Sequence, residues 1–174
     1  MLRAAVIVPI VRRPEPTIVF VKRAAFLRRN PGQIAFPGGA LDAGDGDDPE
    51  LAALREFEEE LGVPRDRVRI VARLDDVTTL AINAHVTPFV GILDPPPAWT
   101  LDHETESVHE VPLAALYAAG AVHEADEHVV HEGRRFTVRT WMFDYDGLHV
   151  WGATGRMLHA LLTRYPALSG LPLR

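Results

Sequence analysis

Cysteine is absent from all 174 residues. That single absence excludes disulfides, thiolate zinc sites and a cysteine nucleophile. Long apolar runs are missing as well, since nothing approaches the roughly 18 uninterrupted apolar residues of a membrane span. The apolar segment Val6–Val11 is short and no small-residue cleavage site follows it. No signal peptide is therefore expected, and a cytoplasmic location is the default. Excess positive charge is lacking too: a formal net charge of -6 argues against a general nucleic-acid surface. An anionic ligand would need a local remedy, either a metal ion or a confined basic patch. Repeats and low-complexity segments are also absent. The balance of 47% hydrophobic to 24% charged residues fits one ordinary globular domain over residues 1–174.

What is present is concentrated between Phe36 and Val63. Asp48-Pro49 is a helix start, with Asp as N-cap and Pro at the first helical position, where no amide donor is needed. Gly62, with Val63-Pro64 behind it, is a helix stop. Leu51, Leu54, Phe57 and Leu61 recur at helical spacing and predict one apolar face. Glu56, Glu59 and Glu60 then fall on the opposite face, within roughly a 100° arc. Like charges three and four apart cost about 0.2–0.5 kcal/mol per pair. They also stand in the last turns, where the helix dipole favours cations. A solvated acidic surface is the plain alternative. The preceding Gly38-Gly39 favours a metal site instead, because it lets bare backbone carbonyls approach the same place. Carboxylates plus a carbonyl are the oxygen ligands of hard divalent cations such as magnesium.

Elsewhere, short β-branched runs predict strands at Arg3–Val11, Thr17–Val21, Ile34–Phe36, Val68–Leu74, His85–Leu93 and Ser107–Val111. A hairpin is expected from Glu127–His131 and Arg135–Tyr145, turning at Glu132-Gly133. Asp146-Gly147 is a further turn signal. Ala24–Gln33 and Asp75–Ala84 read as loops, and Asp94-Pro-Pro-Pro-Ala as a stiff connector. A short helix is expected from Pro112 to about Ala119, and a last one over Ala153–Thr163. Strands before, between and after two substantial helices predict an α/β fold with a mixed sheet packed between helices. His123, His128 and His131 lie near Glu124, Glu127 and Glu132, but without the spacing of the His-Glu-any-any-His zinc motif. The densest basic cluster is Lys22, Arg23, Arg28 and Arg29, just before the glycine pair.

With Gly39, the segment Arg55-Glu56-Phe57-Glu58-Glu59-Glu60-Leu61-Gly62-Val63 resembles the Nudix hydrolase box. That signature is Gly, five residues, Glu, seven residues, then Arg-Glu-apolar-any-Glu-Glu-any-Gly-apolar. The second half matches at every specified position. The first half departs: Asp45 stands where Glu is expected, and nine residues rather than seven separate it from Arg55. Upstream, Arg23-Ala24, Arg28, Gly32 and Phe36-Pro37-Gly38-Gly39 are similar to the signature of the coenzyme A diphosphatase branch. Val86-Thr87-Pro88, Val111-Pro112-Leu113 and Trp151-Gly152-Ala153-Thr154 are also similar to that branch.

The resemblance implies a Nudix α/β/α sandwich and hydrolysis of the diphosphate linkage of coenzyme A or its derivatives. The products would be 3′,5′-ADP and 4′-phosphopantetheine or its acylated form. Alternatives are a Nudix diphosphatase for ADP-ribose, NADH or nucleoside triphosphates, or a catalytically silent nucleotide-binding Nudix domain. By the same resemblance Glu56, Glu60 and the main-chain carbonyl of Gly38 would hold magnesium or manganese. Glu59 would bind a further ion or act on the attacking water. Arg55 would hold a carboxylate in place, and Glu104 is the candidate base. Arg23 and Arg28 would recognise substrate phosphates, Arg being suited to forked contacts. The partner would be a small diphosphate molecule, with no nucleic acid and no membrane, and the chain a monomer or homodimer.

Overall fold

A computed structural model describes residues 1–79 and 83–174 of the chain. The first half contains strands β1 (Leu2–Val11), β2 (Thr17–Arg23), β3 (Ile34–Ala35) and β4 (Gly38–Ala40), then helix α1 (Pro49–Leu61). Strands β5 (Val68–Arg73), β6 (Val77–Thr79), β7 (Ala84–Leu93) and β8 (Thr105–Pro112) follow, with the short helix α2 (Leu113–Leu116). The chain then forms β9 (His123–His131), β10 (Arg134–Tyr145), β11 (Leu148–Val150) and helix α3 (Gly152–Arg164).

The main sheet is mixed and eight-stranded. Its spine runs β3-β2-β1-β7-β5, with β4 on β1, β6 on β7 and β8 on β2. The long central pair β1–β7 is parallel, in register from Leu2 opposite Ala84 to Val11 opposite Leu93. A parallel pair needs a crossover, and this one includes α1. Because successive strand side chains point to opposite faces, β1 feeds two cores. Ala5, Ile7 and Val11 pack with Phe57 and Leu61 of α1. Val8 and Ile10 pack on the other side with Met157, Leu158 and Leu161 of α3. The result is the expected sandwich of helix, mixed sheet and helix.

Several expectations need correction. The glycine segment is not a loop: Gly38–Ala40 is a strand paired antiparallel with Ala4–Val6. Only glycine fits at position 38, because a Cβ there would collide with the Ala5 carbonyl oxygen. The expected loop Asp75–Ala84 contains the strand Val77–Thr79, paired with β7 and anchored by buried Val77. The part of that loop from Leu80 to Ile82 lies outside the described residues. Helix α2 stops at Leu116, short of Ala119. The hairpin's first strand starts at His123, and Leu148–Val150 adds a third strand to it.

Candidate active site

Helix α1 starts and stops where its sequence directs. The Asp48 carboxylate accepts from the amides of Glu50 (2.9 Å) and Leu51 (3.4 Å). At the other end Gly62 takes the left-handed conformation, φ 66°, and its N–H donates to the Glu58 carbonyl. The apolar stripe differs from the expected one. Ala52, Ala53, Phe57 and Leu61 are buried, whereas Leu51 is turned outward at 37% exposure. The two small alanines are buried in the core beneath the helix, and Glu60 lies inward as well.

The three glutamates consequently do not share one solvated face. Glu60 is 6% exposed, Glu56 is partly buried, and Glu59 stands in solvent. An Oε2 atom of Glu60 accepts a hydrogen bond from the Gly38 N–H at 3.1 Å. A Cβ at Gly39 would strike the Glu56 carboxylate, so the glycine pair is what lets strand β4 lie against both acids. The segment after Trp99 closes the helix end: Thr100 N–H donates to the Leu61 carbonyl (2.9 Å) and Asp102 N–H to that of Glu60 (3.2 Å). Asp102 and Glu104 arrive with it.

Electrostatics follow from that geometry. Burial pushes the Glu60 carboxyl up to about 8, helped by the charges of Glu56 and Asp102. The Gly38 hydrogen bond and the Arg23 charge oppose the rise. Burial also raises Glu56, with Glu59 and Glu104 adding to it and Arg55 opposing it. Two carboxyls held above their ordinary range by burial and mutual repulsion are what a bound cation would relieve. Their all-oxygen chemistry fits magnesium or manganese better than softer metals. Among the described residues, no three acidic or histidine side chains already form a metal cage. Arg55 instead donates to Glu56 at 2.9 Å and to Glu59 at 3.3 Å.

Arg55 is the mechanical centre of the site. It grips Asp45 with two hydrogen bonds of 2.9 Å, Nε to Oδ1 and Nη2 to Oδ2, and also reaches the Ala40 carbonyl at 3.2 Å. Asp45 is 2% exposed, and the Arg55 hydrogen bond pulls its carboxyl down to about 2 against the effect of burial. Its Oδ2 also accepts from the Asp42 amide at 2.8 Å, which closes a reciprocal cap on the turn Ala43–Asp45. The longer spacer is absorbed directly afterwards by Gly46 and Asp47, successive residues with φ 58° and 64°. The shorter acid at the unusual position thus still meets Arg55.

The other expected site residues divide. Arg23, at the end of β2, exerts its charge on Glu60, and Glu104 exerts its charge on Glu56. The Arg23 Nε is buried with no hydrogen-bond partner, while one Nη2 donates to the Arg29 carbonyl at 3.3 Å. Arg28 is exposed on the following loop. Asp102 is the residue that sequence reasoning missed. It sat in a plain charged run, and only the tertiary hydrogen bond to the helix end sets it beside Glu60.

A model of the NUDIX domain family matches residues 1–132. An uncharacterized Nudix hydrolase NudL of Cronobacter sakazakii is 41% identical over 160 residues, covering 91% of this chain and 80% of that protein. The protein of the same description from Salmonella paratyphi B is 39% identical over the same shares. Among solved structures, the Nudix hydrolase RenU of M. smegmatis superposes with a TM-score of 0.61 at 17% identity, over 96% of this chain and 89% of that one. The NUDIX domain of Shewanella oneidensis NrtR, complexed with ADP ribose, gives 0.54 at 17% identity over 67% and 75%. These two structural likenesses bear on the fold alone.

Proposed function

This chain belongs to the Nudix hydrolase family, and from that premise we propose that it cleaves the diphosphate linkage of coenzyme A or its acylated derivatives. Nudix hydrolases act on nucleoside diphosphate derivatives with divalent cations. The observation supporting the narrower substrate is the motif running from Arg23 to Gly39, whose first arginine exerts its charge on the buried Glu60. Products would be 3′,5′-ADP and 4′-phosphopantetheine or its acylated form. The active unit is one domain, residues 1–174, working in the cytoplasm as a monomer or homodimer.

Glu56, Glu60, the Gly38 carbonyl and Glu59 would hold magnesium or manganese. The bound ion supplies neutralisation of the diphosphate charge, the main requirement of phosphoryl transfer. Arg55, braced by Asp45, orients Glu56 and Glu59. Arg23 and Arg28 bind the phosphates of the substrate, Arg28 from the loop surface. Water forms a bond to one phosphorus as the bridging P–O bond breaks, and Glu104 takes the proton that water loses. Removing a general base costs typically 10²–10⁴-fold. Glu104→Gln is therefore expected to lower kcat about a hundredfold with magnesium at an unchanged melting temperature. Near-full activity would remove Glu104 from the mechanism.

The substrate assignment is tested by product analysis after separate magnesium reactions with coenzyme A, ADP-ribose and NADH. Coenzyme A is expected to be consumed fastest, yielding 3′,5′-ADP. Faster release of AMP from ADP-ribose or NADH would reassign the substrate within the family.

A further inference from the structure

The hairpin of β9 and β10 is held unevenly. Its strands pair in register from His123 opposite Met142 to His131 opposite Arg134. Strand β10 is fastened to the body at its inner end, where Thr140, Met142 and Phe143 are buried. There Trp141 stacks on His159 of α3 with 3.7 Å between ring centroids, and the Gly152 N–H donates to the Thr140 hydroxyl at 3.1 Å. The outer half of β10, from Arg134 to Arg139, is exposed at every residue. Among the described residues, β9 has β10 as its one ladder neighbour. A two-stranded hairpin is marginal on its own in water, so the ties of β9 to other elements decide how well this arm is ordered.

Among the described residues, one side-chain hydrogen bond carries β9 beyond the hairpin to another strand. The Glu127 Oε2 lies 3.0 Å from Nε2 of His149 on β11. Asp126 and His128 instead bond to Arg139 and Thr137 of β10, and His123 to the adjoining Ala121 carbonyl. The other ring nitrogen of His149, Nδ1, lies 2.6 Å from the Asp144 Oδ1, and Asp144 is its direct cross-strand partner on β10. A neutral imidazole has one N–H and one bare lone pair, whereas ionised carboxylates only accept. Both contacts are therefore hydrogen bonds only when the ring carries two protons. Loss of one proton leaves a lone pair facing a carboxylate oxygen. The shorter bond, to the directly opposed Asp144, keeps the remaining proton, and the Glu127 tie is the one that breaks.

Among the described residues, the charged groups facing the ring are Glu127 from β9 and Asp144 from β10. Strand β3, which also packs on β11, brings Ile34 and Ala35. The Asp144 bond raises the His149 ring above its ordinary value; burial opposes that rise and the Glu127 bond adds to it. An unperturbed histidine titrates at about 6.5, so the two-proton ring persists into the neutral range.

We infer that His149 is a protonation latch, closing the β9–β10 arm onto β11 while its ring bridges Glu127 and Asp144 and releasing β9 when the ring turns neutral. Histidine is the side chain whose charge changes near physiological pH. The folded ring is raised above the unfolded one, so the latch's contribution is complete below about 6.5 and is lost as pH climbs through the folded value. The device acts on the order of the arm, and no residue of the carboxylate site on α1 takes part in it.

Two measurements on the full chain test the latch. In 15N spectra of histidine-labelled protein, both His149 ring nitrogens should be protonated at pH 6, and the ring should titrate above about 6.5. Hydrogen exchange, divided by the intrinsic rate at each pH, should show protection of the arm amides over 126–131 and 134–139 falling about threefold through that titration. That is the scale of one partly exposed ion pair. Helix α1 and strand β1 should keep their protection throughout. His149→Gln cannot gain a proton, so its arm should show the parent's high-pH protection already at pH 6, with no step. Glu127→Gln removes one facing charge and leaves Asp144 in place; it should lower the ring's titration and shrink the step, and it carries the test if His149→Gln does not fold. A ring that titrates at or below the unperturbed value would overturn the latch. So would arm protection that stays flat through the titration, or a step undiminished in Glu127→Gln.

Discussion

Replacing Glu60 by Gln is expected to lower kcat/KM about a thousandfold while leaving the protein folded. A metal ion contributes several kcal/mol to the stabilisation of transition-state charge, and each 1.36 kcal/mol is a tenfold change in rate. Glutamine has the same shape as glutamate, and its carbonyl oxygen can still accept the Gly38 N–H hydrogen bond. What disappears is the buried carboxyl beneath β4 that can release its proton and offer a negative charge to a bound cation. Without metal the substitution should help stability. The Glu60 carboxyl is raised from 4.5 to about 8 in the fold, so between those values the folded state holds a proton that the unfolded state has released. Stability linked to that proton is complete below about 4.5 and is lost as pH climbs through 8. The variant escapes the loss.

Metal-free melting at pH 8 should thus show Glu60→Gln a few degrees above the parent, with the two alike near pH 4. Adding magnesium or manganese should raise the parent and leave the variant almost unmoved, since only a ligand bound to the native state stabilises it. Parent-like activity with parent-like metal dependence would remove Glu60 from the site.

The helix at the heart of the site was legible because its signals are local. Asp48, Pro49 and Gly62 act within one turn, and the hydrophobic period needs no partner. Which face goes inward was less legible. Leu51 and Glu60 exchanged their expected environments: the face buried against the sheet carries Ala52, Ala53, Phe57 and Leu61, and which face that is depends on the packing with β1 and β4 rather than on the helix alone. Gly38–Ala40 read as a loop for a related reason: a three-residue strand of two glycines and an alanine has no period, and only its pairing with Ala4–Val6 makes it a strand. Asp102 carried no signal at all. Its proximity to Glu60 depends on a backbone hydrogen bond between segments far apart in the chain.

Asp45→Ala is expected to destabilise the protein by about 3 kcal/mol, since removing one member of a buried pair leaves the other charge uncompensated. The low end of that range applies because Arg55 retains 18% exposure. In a chain of this size the loss should lower Tm by roughly 6–12 °C. Activity should fall further than stability does. Arg55 freed from Asp45 retains the carboxylates of Glu56 (2.9 Å), Glu59 (3.3 Å) and Asp42 (3.4 Å) as partners, and it would compete with a cation for the first two. Excess magnesium should therefore rescue part of the lost rate but none of the lost stability. Asp45→Asn separates charge from shape. The parent carboxyl is depressed from 3.8 to about 2, so its stabilisation is present above about 3.8 and disappears as pH falls through 2. Urea midpoints of parent and Asn variant should accordingly differ at pH 7 and converge towards pH 2. A gap that stays constant across that interval would mean that Asp45 braces the loop by shape alone, through its bond to the Asp42 amide, and not through its charge on Arg55.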